Sequence, residues 1–441
     1  MALGNTAGAQ SPAQTASADA ASPSSNVVGR VYHVSPTGDD AADGSEAKPW
    51  RTIQKAAITV TAGDTVMIAA GVYNERVAVK NSGAPGRPIS YVGSAGAVID
   101  GLNAAGYNLF DTNGQSYLKI SGLKVQNALP EGSGISVGRS KHVRVERCHT
   151  SGTSDSGIKV DLSSDVSVLN NEVEKACQNG GEESLTVKRS EYVDVNNNHV
   201  HHTKHEGIDV KEGARHVNVI GNHVHHAERQ GLYADAWDKP TLDIRFFNNV
   251  VHDCGFGFVV SSERAGLLSD VWFCNNVVYN NAGPGMGVMA WGEEYVTPTT
   301  AQVTKKNLYF INNTIVGNGK ESGSEWGGGL KLETAKVDNL VVKNNILSGN
   351  LGAPILSGDD KRPPNAILMN NLIFGEGNTD QPGEDNVQAD PLFVDASKGD
   401  FRLKERSPAI NAGAPSATPI HDKDGRWRDA RPDIGALEYA R

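Results

Sequence analysis

Val166–Val173 reads VSVLNNEV, and its pattern returns six more times: VDVNNNHV (193–200), VNVIGNHV (217–224), IRFFNNVV (244–251), VWFCNNVV (271–278), LYFINNTI (308–315) and LVVKNNIL (340–347). Each copy is a short apolar strand, an Asn pair or single Asn, then more apolar residues. The second or lone Asn falls at Asn171, Asn197, Asn222, Asn249, Asn276, Asn313 and Asn345, at intervals of 26, 25, 27, 27, 37 and 32. VRVERCHT (143–150) and AILMNNLI (366–373) look like further copies. Between them runs a second series: GIKVD (157–161), SLTVK (184–188), GIDVK (207–211), GLYAD (231–235), GFVVS (257–261) and GLKLE (329–333). Its alternating polarity marks strands with one face in and one face out. Short strands repeating about every 25 residues predict a solenoid with one coil per repeat, equivalent positions stacking about 4.8 Å apart. Buried Asn at the turns can form ladders that satisfy backbone groups. The longer intervals mark loops inserted at 292–306 and 319–326.

The second series separates into two outward files. One runs Asp161, Lys188, Lys211, Asp235, Ser261; the other runs Lys159, Thr186, Asp209, Tyr233, Val259. The inward residues, such as Val187, Val210 and Ala234, are apolar, as a core requires. Flanking turns add Glu182, Glu183, Glu206, Glu212, Asp238 and Glu263, and Tyr233 and Trp237 offer flat rings for stacking on sugars. Acids, lysines and aromatics therefore concentrate between about 182 and 263. The bland reading of this file is a solvated face of alternating charge.

Composition bounds the rest. The 441 residues carry 41 basic and 51 acidic side chains, a net charge of −10. That balance argues against a general nucleic-acid or membrane surface. There is no run of 18 or more apolar residues, so no spanning helix is expected. Four cysteines without metal-like spacing (Cys148, Cys177, Cys254, Cys274) read as small buried hydrophobes. Residues 1–29, rich in Ala, Ser, Thr and Pro, read as a disordered leader. They contain no intact signal peptide, and a secreted protein whose signal has been removed is expected. Residues 30–385 are expected to form the solenoid and 386–441 a C-terminal segment packed on it. The molecule is expected to act as a monomer.

The opening VYHVSPTGDDAADGSEAKPWRTIQKAA (31–57) with AGDTVMIAAGVYNERV (62–77), and the close ADPLFVDASKGDFRLKERSPAINAGAP (389–415) with DIGALEY (433–439), resemble the ends of right-handed parallel β-helices among bacterial carbohydrate-active enzymes. The resemblance implies an all-β, single-stranded parallel β-helix with an N-terminal helical cap around Ile53–Ala62. It also implies a polysaccharide or oligosaccharide substrate. The fold hosts lyases, hydrolases, epimerases and adhesins, so the site must decide the chemistry.

Two reaction classes fit the charged file. GGEESLTVKRSEYVDVNNN (180–198) resembles the active-site coil of the chondroitinase B and alginate lyase family. That family places a calcium-binding glutamate five residues before a catalytic lysine, here Glu183 and Lys188. Its catalytic arginine one coil on is replaced by Lys211. Its other glutamate meets Gly181, with Glu182 one residue away. In β-elimination Lys188 or Lys211 would be the base, its pKa depressed by the like charge beside it. Glu182, Glu183 and Asp209 would hold calcium or orient the lysines; no organic cofactor is expected. Alternatively, GLYADAWD (231–238) resembles the nucleophile coil of β-helical β-xylosidases, making Asp235 the nucleophile or base; Ser261 stands where their acid does, and Glu263, two residues on, would be the acid. His205, Asp209, Tyr233, Trp237 and Asp238 are the candidates for touching substrate. A non-catalytic carbohydrate-binding or adhesin face is the third reading. His201, His202, His205, His223, His225, His226 and His252 recur after the Asn turns, and the simpler reading is a turn that tolerates a polar aromatic, with shared zinc the alternative.

Overall fold

The computed structural model describes residues 29–104, 106–128, 131–293, 303–320, 327–357, 361–375 and 383–440. The leader thus lies almost wholly outside the described residues, as do most of the two inserted loops. Among the described residues no helix is long and apolar enough to cross a membrane.

Each repeat contributes three strands, and each strand pairs in parallel with its equivalents one coil before and after. One representative coil is Ile158–Asp161, Ser164–Leu169 and Glu172–Glu174. Among the described residues the stacked coils form parallel sheets of 13, 11 and 13 strands, plus an antiparallel hairpin of Phe393–Asp395 with Asp400–Leu403. The 11-stranded sheet carries the GIKVD series and is called the site sheet below. Every inward side chain expected of that series, from Ile158 to Leu332, is buried. Helix α1 (Ile53–Thr59) buries Ile53, Ala56 and Ala57, and Thr52 caps it by accepting the Lys55 N–H.

Tight turns separate the strands. The turn that leaves the site sheet uses a left-handed residue: Leu162 (φ 51°), Arg189 (φ 49°) and Glu212 (φ 50°). Ser hydroxyls bridge its first coils, Ser163 accepting the Ser140 N–H and Ser190 the Ser163 N–H. At the Asn turn the two Asn divide the labour. The first adopts the left-handed conformation (Asn170, Asn248, Asn275, Asn312), which Asn tolerates better than most residues. In VNVIGNHV, Gly221 takes that place at φ 68°.

The second Asn is buried in a ladder running Asn171, Asn198, Asn222, Asn249, Asn276, Asn313, Asn345, Asn371. The Oδ1 of each accepts both the backbone N–H and the Nδ2–H of the Asn one coil earlier. In the triplet 196–198 the ladder residue is Asn198, not Asn197 as the count of pairs suggested. Asn197 instead takes the left-handed place at φ 56°. Asn249→Ala would strand the Asn222 N–H and one of its two Nδ2–H bonds, and take the Asn249 donor from the Val219 carbonyl. At about 1–3 kcal/mol per stranded group, a loss of about 2–5 kcal/mol is expected, read as a lower urea midpoint.

All four cysteines are free and buried, as expected. The C-terminal residues lie along the outside of the third sheet. Phe401, Ile434 and Leu437 pack with Val277, Ile346 and Leu372. Arg428 donates to Asn275 Oδ1 at 2.9 Å, and Asn312 donates to the Asp433 carbonyl at 3.0 Å.

Candidate functional site

Strand pairing decides whether a charged file exists. Asp161 stands opposite Lys188, Lys188 opposite Lys211, Lys211 opposite Asp235, and Asp235 opposite Ser261. The second file is equally continuous: Lys159, Thr186, Asp209, Tyr233, Val259. Both lie on the outer face of the site sheet, because the alternating Val and Leu positions fill the interior.

Around these files lies a cleft of about 390 Å³. It is lined by Glu182, Glu183, Lys188, Glu206, Asp209, Lys211, Tyr233, Asp235, Trp237 and Glu263, with Glu212 and Arg229 at its margin. Larger grooves elsewhere, such as the one of about 750 Å³ past His226 and Asp253, gather no comparable set of buried charges.

Two expected substrate contacts lie elsewhere. Asp238 is exposed and sits 3.9 Å from Lys239, because the chain turns outward after Trp237. His205 spends Nδ1 on the Glu182 carbonyl at 3.0 Å, buttressing that turn instead of facing the cleft. Arg229 was missed by sequence reading. It precedes a strand by one residue, outside the alternating pattern, and its Nη1 reaches Glu206 at 3.5 Å.

Each lysine is matched to its own carboxylate. Lys188 Nζ donates to both oxygens of Glu182 at 2.8 and 3.1 Å, and Lys159 joins from the preceding coil at 3.0 Å. Burial pulls the Glu182 carboxyl up, but Lys188 and Lys159 outweigh it and hold it down at about 2. Lys211 Nζ lies 2.5 Å from Glu183 Oε1 and 3.9 Å from Asp209 Oδ2. Burial pulls the Lys211 ammonium down, yet Asp209 and Glu183 hold it well above the ordinary lysine value. The expected depression by a neighbouring lysine is therefore absent at Lys211, where Asp209 and Glu183 raise it instead. Lys211 is a fixed cation, not a neutral base.

The calcium set fares no better. Calcium takes about 6–8 oxygen ligands. Here Glu182 is shared by two ammonium groups, and Glu183 is held by Lys211 and accepts the Thr186 hydroxyl at 3.2 Å. Glu182 and Glu183 are thus taken up by ion pairs, while the Asp209 Oδ1 is left without a partner among the described residues.

Two carboxyls stand in contrasting surroundings. Asp235 is 2% exposed, and burial together with Glu263 pushes it up to about 7, against the backbone N–H groups of Trp237 and Glu263 that it accepts at 2.9 and 3.2 Å. Glu263, one coil on, accepts the Tyr233 hydroxyl at 2.6 Å. Asp209 is also buried and raised, by burial and then by Glu183, and its Oδ1 has no hydrogen-bond partner among the described residues. Trp237 carries the Arg264 guanidinium 5.0 Å above its ring. Trp291 packs edge-on to Tyr233, with ring centroids 6.3 Å apart.

Comparison with known proteins places this geometry. Residues 32–182 match the family model described as Pel9A-like, right handed beta helix region, and residues 268–366 match one described as disaggregatase related. The uncharacterized protein YwoF of Bacillus subtilis (strain 168) is 27% identical, over 86% of this chain and 92% of that protein. The structure of XylC with xylose superposes with a TM-score of 0.61 at 14% identity, over 93% of this chain and 99% of that one. The mannuronan C-5 epimerase AlgE6 A-module of Azotobacter vinelandii gives 0.58 at 14%, over 75% of this chain and 91% of that one. Pectate lyase Pel9A gives 0.53 at 15%, over 94% and 97%. The chain is thus a right-handed parallel β-helix with the fold of these carbohydrate-active proteins, its N-terminal coils matching the Pel9A-like region.

Proposed function

We propose that this protein hydrolyses glycosidic bonds in a polysaccharide or oligosaccharide, with Asp235 as the general acid and Glu263 as the base or nucleophile. The observation that carries this reading is the contrast between the two carboxyls. Asp235, pushed up to about 7, keeps a proton to give to the leaving oxygen. Glu263, held by the Tyr233 hydroxyl, is available to activate water or attack the sugar. The cleft lining holds seven carboxyl groups against three cations, which favours a neutral sugar over a polyanion. Lys211 stabilises the cluster and limits how far the Asp235 carboxyl rises. A polymeric substrate would place the reaction outside the cell, and helix α1 would close the N-terminal end of the coils.

A second reading, β-elimination of a uronate-containing polysaccharide, is favoured by one observation. Lys188 and Lys211 stand side by side and could neutralise a substrate carboxylate. Of the two lysines, Lys211 would then bind the carboxylate, since it is held as a cation, and the base would be Lys188 or another group.

The two readings leave different products. Incubation with a panel of neutral and acidic polysaccharides is expected to release reducing ends without the ultraviolet absorbance of an unsaturated uronate. Unsaturated products would overturn hydrolysis in favour of elimination. Saturable binding with no product would leave a carbohydrate-binding protein.

A further inference from the structure

The sheet that follows the Asn turns carries a second cluster of chemistry, which the cleft does not use. Strands His199–Thr203 and His223–Ala227 pair in register, placing His199 beside His223 and His201 beside His225. His201, His223 and His225 were expected in a turn; they stand instead on strands, with His199 beside them, as two files on one outward face.

The files bring nitrogens together. His199 Nε2 lies 2.8 Å from His225 Nε2, and the His199 and His223 rings stack with centroids 5.1 Å apart. One nitrogen from each of His199, His223 and His225 falls within 4.8 Å of the others. Glu172, His199 and His201 form an overlapping triad, with His201 Nε2 3.2 Å from Glu172 Oε1. An N···N contact this short admits one proton between two rings, so His199 and His225 cannot both present an N–H to it. Each such contact faces an N–H with a lone pair, and His223 Nε2 makes another with His252 Nε2 at 2.8 Å.

We infer that His199, His223 and His225 form a binding site for a divalent transition-metal ion of the zinc class, separate from the cleft. Neutral imidazole is a preferred ligand for such ions. Zinc–nitrogen bonds of about 2.0–2.1 Å set tetrahedral ligands about 3.3 Å apart, within reach of small side-chain rotations here. Strand pairing fixes the spacing beforehand, since neighbouring coils stand one sheet spacing apart. Bound through Nε2, His225 would carry its proton on Nδ1, where it faces His226 Nδ1 at 2.7 Å. That contact then fixes the ring as an outer partner does in known metal sites. His223 is exposed, so the fourth position opens to water.

The test uses the full chain without a histidine tag, stripped by chelation and titrated with zinc chloride in a calorimeter. Saturable binding of one ion per chain is expected, and cobalt substitution should give the visible absorption of a tetrahedral nitrogen site. His199→Ala should weaken binding by at least about 10-fold. His225→Gln, which keeps the side-chain volume, should do the same in a chain whose circular dichroism is unchanged. His216→Ala, which removes an imidazole paired with Asp243 on another sheet, should leave binding intact. Asp235→Asn should bind zinc as the parent does, so failure of the hydrolase reading and failure of this one are separable. Absence of saturable binding, or equal affinity in the parent and both His variants, would overturn the site.

Discussion

Asp235→Asn is expected to lose about 10²- to 10⁴-fold in kcat, the range for removing a general acid, while gaining stability in alkaline solution. The two effects share one cause. Asp235 sits at about 7 because burial and Glu263 disfavour its charged form. In the unfolded chain it titrates near 3.8. A folded pKa above the unfolded one contributes stability that is fully present below pH 3.8 and lost as pH rises through about 7. The parent should therefore lose stability across that window, by up to about 4 kcal/mol. The Asn variant keeps an oxygen for the Trp237 and Glu263 N–H groups and has no proton to lose. Its melting temperature should exceed the parent's above pH 7 and match it at pH 4. The parent's kcat should fall as pH rises through about 7. Full activity in the variant, or a flat pH profile in the parent, would remove Asp235 from the chemistry.

Lys211→Met carries the largest expected loss of stability. Lys211 is the cation between Glu183 and Asp209, all three largely out of solvent. Removing one partner of a buried pair strands the other charge, at about 3–5 kcal/mol. Urea unfolding of the variant should show that loss. Lys211→Met with Glu183→Gln should recover much of it, because the stranded carboxylate goes too. Equal stability in the parent and Lys211→Met would mean that solvent screens the pair. Activity adds a second readout. Lys211 draws the Asp235 carboxyl down, so its loss should move the alkaline fall in kcat to higher pH. If Lys211 instead held a uronate carboxylate, activity would collapse at every pH without that shift.

The architecture was legible because it rests on periodic features. Alternation gave the inward faces of the site sheet, from Ile158/Val160 to Leu330/Leu332, and every one is buried. Repetition gave the register: the file Asp161–Lys188–Lys211–Asp235–Ser261 follows from counting residues within each coil. The misassigned ladder residue, Asn197 for Asn198, arose where three consecutive Asn make counting ambiguous and only the left-handed φ distinguishes them.

What sequence could not give is what a side chain does once it leaves the backbone. Glu182 and Glu183 are adjacent in the chain, yet one turns to Lys188 and the other to Lys211. That choice pairs the two glutamates with ammonium groups and holds Lys211 as a cation. Arg229, His205 and Asp238 were assigned or missed for the same reason: they lie on turns, where no periodicity fixes direction. The sequence by itself determined a stacked solenoid and a single file of charge on its outer face, because a parallel β-coil converts spacing directly into position. The tertiary structure alone decided which charges meet and which carboxyl keeps its proton, because those depend on burial and on distances of a few ångströms between side chains from different coils.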